Sequence, residues 1–140
     1  MKSINTLIKI HTRDLDDLRK SVVKCEEEKE QLIGYNNKME DELLIEHALA
    51  AKNHELGIIF TNYRRLIRDR QAVITKSLQD LDRRIETLKE NIALKFGEVK
   101  RYEILLANKL HAETKKQQAL ETKQLDEISI NNYLKENAEN

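Results

Sequence analysis

Apolar side chains recur at alternating steps of four and three residues through two long stretches of this chain, and that spacing restricts it to paired helices. The first stretch is phased from Ile4 through Ile8, His11, Leu15, Leu18, Val22, Cys25, Lys29, Leu32, Asn36, Met39 and Leu43. The second runs Phe60, Arg64, Ile67, Gln71, Ile74, Leu78, Leu81, Ile85, Leu88, Ile92, Lys95, Val99, Tyr102 and Leu106. Such steps hold each side chain on one seam of a slightly underwound helix. His11, Lys29 and Asn36 weaken the first seam without shifting its phase, whereas Leu78 to Ile92 is uninterrupted.

Composition agrees with a seam and not with a thick core. Charged residues make up 36% of the 140 and aromatics 4%, with no Pro, no Trp and three Gly. The apolar share, 39%, lies below the roughly 45–50% of ordinary globular domains. So much charge is also compatible with disorder, but disordered chains lack the regular Leu/Ile spacing seen here.

Between Leu44 and Ile59 the seam fades, with Glu46, Ala50, Asn53 and Gly57 in the nominal core positions. Asn53 and Gly57 are residue types that stop helices by adopting left-handed backbone conformations. A turn is therefore predicted at about 52–57. It joins helix 1 (about 4–51) to helix 2 (about 58–136) in a single hairpin spanning 1–140. The other candidate, Gly34-Tyr35-Asn36-Asn37, leaves the heptad phase intact, and a Gly inside a helix costs only about 1 kcal/mol against Ala. Charge favours the later turn. Glu26 to Glu46 holds eight acidic and two basic side chains, and Phe60 to Arg84 holds seven basic and three acidic. Folding near residue 54 lays these segments side by side, where each exposed pair is worth ~0.2–1 kcal/mol. Folding at Gly34 sets Glu40, Asp41 and Glu42 against Glu26, Glu27 and Glu28, which repel. A parallel dimer of continuous helices is disfavoured, because Ala50, Asn53 and Gly57 must then pair with themselves. The free chain is thus predicted to be a monomeric antiparallel coiled-coil hairpin, its longest dimension set by helix 2 at ~120 Å.

Helix 1 is too short to cover helix 2. With equal rise in both helices, Ile4 falls beside roughly residue 104. The remaining tail still carries Leu105, Leu106, Leu110, Leu120, Leu125, Ile128 and Ile130. A lone helix with apolar side chains invites a partner, so Leu110, Leu120, Leu125 and Ile128 are candidate contact residues. A second candidate surface lies just after the turn. The cluster Arg64, Arg65, Arg68 and Arg70 pairs with the acidic half of helix 1, docks an acidic partner or, as the least favoured alternative, contacts nucleic acid. Phe60 and Tyr63 beside Arg64 and Arg65 suit docking, since aromatics and Arg dominate interface hot spots.

Other functions lack their residues. The chain has 25 basic and 25 acidic side chains, so it offers no net cationic footprint for nucleic acid. Cys25 is the sole cysteine, which precludes an internal disulfide and suits a reducing compartment. Met1 to Ile10 holds no uninterrupted apolar run of the signal-peptide kind. Nothing approaches the ~20 apolar residues of a membrane span, so a cytoplasmic location without direct membrane insertion is expected. The glycines are too dispersed for a phosphate-cradling loop. His47 and His54, seven apart, do not have the i,i+4 spacing of a helical metal site; only a turn between them could bring them together, near Glu46 and Glu55. No catalytic, metal-binding or cofactor-binding residue is expected, and no enzymatic activity.

Two ends of the chain resemble a known family. Met1-Lys2-Ser3-Ile4-Asn5-Thr6-Leu7-Ile8-Lys9 is similar to the opening of FliJ, the flagellar export protein, in its alphaproteobacterial form. Lys100-Arg101-Tyr102-Glu103-Ile104-Leu105 resembles that family's basic-x-x-Glu-x-Leu element, and Gln124-Leu125-Asp126-Glu127-Ile128 its polar-Leu-Asp-Glu-Ile run. Phe60 and Tyr63 sit where the family often places two aromatics after the turn. Glu40 to Gly57 departs from the pattern, and no family contact is carried over there. The resemblance implies a coiled-coil stalk of flagellar type III export that inserts into the export ATPase ring and touches the export gate and export chaperones. It also implies peripheral attachment to the inner membrane through that apparatus. The alternative is a coiled-coil scaffold or adaptor unrelated to export.

Overall fold

A computed structural model describes residues 2–139 and contains two helices, α1 (Lys2–Ala50) and α2 (His54–Glu139). The fold is all-α, a two-helix antiparallel hairpin whose second helix is much the longer. Contacts divide the chain into two compact units, Arg13–Lys95 and Met1–Thr12 with Phe96–Asn140.

The Arg13–Lys95 unit contains the turn. Its buried residues are Leu15, Cys25 and Leu43 on α1 against Ile67, Gln71 and Ile85 on α2. Ile74, Leu78, Leu81, Leu88 and Ile92 are half-buried between them, because two helices cover each other along a single stripe only. Antiparallel register is pinned by ion pairs across the seam: Lys29 Nζ to Asp82 at 2.7 Å, Arg68 to Glu40 at 2.8 Å and Lys95 Nζ to Asp14 at 3.3 Å. Gly34 is helical and exposed, with nothing within 4 Å of a Cβ built there, so the helix passes straight through it.

The connection is tighter than the spacing predicts. Among the described residues, 51–53 alone leave the helix, and none has positive φ. The left-handed stop expected at Asn53 and Gly57 is therefore corrected. Two short-range bonds close α1 instead, from Lys52 N–H to the Leu49 carbonyl (3.3 Å) and from Asn53 N–H to the Ala50 carbonyl (3.4 Å). Asn53 then caps α2: its side-chain oxygen accepts the Glu55 N–H at 3.0 Å, satisfying a donor that the first turn of a helix leaves open. Its carbonyl accepts the Gly57 N–H at 3.1 Å, which draws Gly57 into α2. Both helices also extend past the predicted limits, α1 starting at Lys2 and α2 ending at Glu139.

The Met1–Thr12 and Phe96–Asn140 unit packs the opening turns of α1 on α2. Ile4 and Val99 are buried, Ile8, Tyr102 and Leu106 half-buried. His11 stacks on the Tyr102 ring with centroids 5.3 Å apart and planes 15° from parallel. Its buried Nδ1 lies 3.3 Å from a Glu98 carboxylate oxygen, within ion-pair range though not in hydrogen-bonding geometry. From Ala107 to Ala138 every side chain is exposed.

Candidate partner-binding surfaces

The eight candidate contact residues fall into two groups, one in each unit. Around the turn, Phe60 and Tyr63 are half-buried and Arg64 and Arg65 exposed. This corrects the predicted seam, which placed Arg64 inward. The inward steps after the turn run Phe60, Tyr63, Ile67, so Phe60 and Ile67 keep their predicted places and only the step between them moves, from Arg64 to Tyr63. Phe60 packs on His47 at 5.3 Å between centroids. The Tyr63 hydroxyl donates to Glu42 at 3.5 Å. Partial burial of its ring raises the Tyr63 pKa above the phenolic range, and the Glu42 and Glu46 carboxylates add to the shift.

The arginine cluster is only partly used up within the fold. Arg68 donates to both Glu40 oxygens, at 2.8 and 3.4 Å, and to the Gln71 side-chain oxygen at 2.7 Å. Gln71 completes the network by donating to Glu40 at 2.9 Å. That accounts for a Gln on the seam: a buried amide is tolerated where both of its ends are bonded. Arg64, Arg65 and Arg70 form no ion pair among the described residues. The charge match between the two helices is thus carried by few pairs, and cations next to Phe60 stay available.

Glu40 supplies a pH test of this network. The Gln71 bond, then the Arg68 bond, hold its carboxyl below the ordinary glutamate range. A pKa lowered by folding stabilises the native state above the unfolded-state value, and the contribution is lost as pH falls through the folded-state value. Glu40→Gln should therefore lower the melting temperature slightly at pH 7. The gap to the parent protein should close in melts taken at progressively more acid pH. The effect stays small because the pair is exposed and screened by solvent. A gap that persists unchanged at acid pH contradicts the network's role.

In the tail, Leu110, Leu120, Leu125 and Ile128 are all exposed, by 46, 48, 63 and 55%. Ile130, Tyr133 and Leu134 are similarly open. These side chains belong to a helix with a predicted seam partner no further than Leu106, so their exposure follows from the length mismatch of α1 and α2.

A family model described as Flagellar FliJ protein matches residues 1–138. The chain belongs to the flagellar FliJ family. Membership spans nearly its whole length, and it sets aside the scaffold unrelated to export. A FliJ family member is a component of flagellar protein export. No curated protein and no solved structure matches the chain. No described helix is long and apolar enough to cross a membrane.

Sequence reasoning missed one group of residues. Leu44, Ile45, Leu49, Leu56, Ile58 and Ile59 are all exposed around the turn, by between 44 and 66%. Their signal was present: the segments Leu43-Leu44-Ile45 and Leu56-Gly57-Ile58-Ile59 hold more apolar residues than one seam can absorb.

Proposed function

We propose that this FliJ family chain is a coiled-coil stalk that couples the export ATPase ring to the export gate and export chaperones. The observation that supports this most is the tail: α2 continues from Ala107 to Ala138 with every side chain exposed, yet it retains large apolar residues along its length. A helix can keep such residues in water at modest cost, and it gains when they are buried in a partner. The tail is assigned to the ATPase ring through Leu110, Leu120, Leu125 and Ile128. Phe60 and Tyr63, with the cations of Arg64 and Arg65, are assigned to the gate or a chaperone. Hydrolysis belongs to the ring; this chain carries no catalytic group and works in the cytoplasm, held at the inner membrane by its partners.

Leu125→Asp tests the tail assignment. A carboxylate forced into apolar contact without a partner costs ~1–3 kcal/mol, so capture of the host's export ATPase should weaken roughly tenfold or more. The melt should not change, because Leu125 is mostly exposed. Undiminished capture removes Leu125 from the interface.

A further inference from the structure

Beside the turn, within the Arg13–Lys95 unit, residues of both helices line a groove of about 410 Å³: Glu46, Leu49, Ala50, Leu56, Ile59, Phe60 and Tyr63. Leu49, Leu56 and Ile59 are 49, 44 and 63% exposed. They lie outside the heptad seam, so pairing of α1 with α2 gives them no role. The rim is acidic. Glu46 lines the groove, and Glu42 reaches its edge through the Tyr63 hydroxyl. Neither carboxylate forms an ion pair among the described residues. Both act electrostatically on Tyr63, where Arg70 offsets them only in part. On the other side of the hairpin, a second groove lined by Leu44, His47, Phe60, Arg64 and Arg68 has the opposite character, with Glu40 already taken by Arg68.

We propose that the Leu49–Leu56–Ile59 groove docks one amphipathic helix of another protein, apolar along the buried face and basic along the edge that meets Glu42 and Glu46. An apolar floor between two helices takes a third helix through anchors spaced i, i+3 or i+4, and i+7. Charge decides which helix. An acidic edge faces two carboxylates and is repelled, while a basic edge completes ion pairs that the fold leaves open. A second copy of this chain is a poor occupant, because a two-fold contact sets Glu46 against Glu46. The assignment does not depend on the tail; the groove shares Phe60 and Tyr63 with the surface assigned above to the gate or a chaperone.

The test uses two synthetic helices of about 18 residues, five turns, with the same leucine stripe and either lysine or glutamate along its edge. Binding to the full chain is followed by fluorescence anisotropy. The lysine-edged helix should bind in the micromolar range expected of a small interface, and the glutamate-edged helix at least about tenfold more weakly. Ile59→Ser should abolish binding while leaving the melt unchanged, since Ile59 is mostly exposed. Glu46→Lys should reverse the preference between the two peptides. Equal binding of both, no binding of either, or binding untouched by Ile59→Ser overturns the proposal. So does a concentration-dependent dimer lost in Ile59→Ser, which assigns the groove to a second copy. Removing the tail should leave peptide binding intact, so failure here is distinct from failure of the ATPase assignment.

Discussion

Truncation before His111 is expected to leave the hairpin folded with a nearly unchanged thermal melt and to abolish binding or stimulation of the export ATPase. Burial separates the two effects. Among the described side chains, the last on α2 with appreciable shelter is Leu106, and from Ala107 to Ala138 all are exposed. Residues that bury nothing contribute little to a cooperative transition. Isolated helix is marginal in water, and its formation draws mainly on tertiary packing, so the tail gives up helicity more readily than the hairpin. Circular dichroism should show less helix per chain in the truncated form with the same midpoint. ATPase stimulation and pull-down, run with the host's own enzyme, supply the other half. Unfolding on truncation makes the tail structural. A folded truncated chain that still stimulates the ATPase fully removes the physical support for the stalk.

Within the stretch from Leu78 to Ile92, the largest single loss of stability is expected at Ile85. Leu78 to Ile92 is the unbroken part of the seam, and its deepest member is Ile85, at 7% exposure, with Leu81 and Leu88 only half-buried. Deleting a buried isoleucine to alanine removes transfer energy and leaves a void, together ~2–4 kcal/mol. Leu81→Ala and Leu88→Ala should each cost about half as much, since part of each side chain already faces water. A urea titration of the three variants reads the order directly. A loss below about 1 kcal/mol for Ile85→Ala means that the seam does not carry the stability assigned to it.

Several features were legible from local pattern because they depend on local causes. The heptad steps describe one face of a helix whatever lies opposite, and every residue of the first phased stretch, from Ile4 to Leu43, is buried or half-buried. The family likeness at both ends needed only residue order. Where two segments meet, local pattern failed. Arg64 satisfied the predicted phase, yet it is exposed and Tyr63 is half-buried in its place, with Phe60 and Ile67 on either side inward as predicted. Asn53 and Gly57 have the intrinsic freedom to stop a helix, but α1 closes through the short-range bonds from Lys52 and Asn53, without left-handed backbone.

Sequence alone determined the helical class, the seam and the excess length of the second helix, because periodicity and length are properties of a single strand of chain. Tertiary structure alone decided which charges find partners. Opposite totals on the two helices implied broad pairing, but of Arg64, Arg65, Arg68 and Arg70 only Arg68 reaches a carboxylate among the described residues, through a network that Gln71 closes. An ion pair needs its atoms within a few ångströms, and register plus side-chain direction determine that where net charge does not. The apolar groove at Leu49, Leu56 and Ile59 has the same origin: each residue is ordinary in its own helix, and only the turn gathers them.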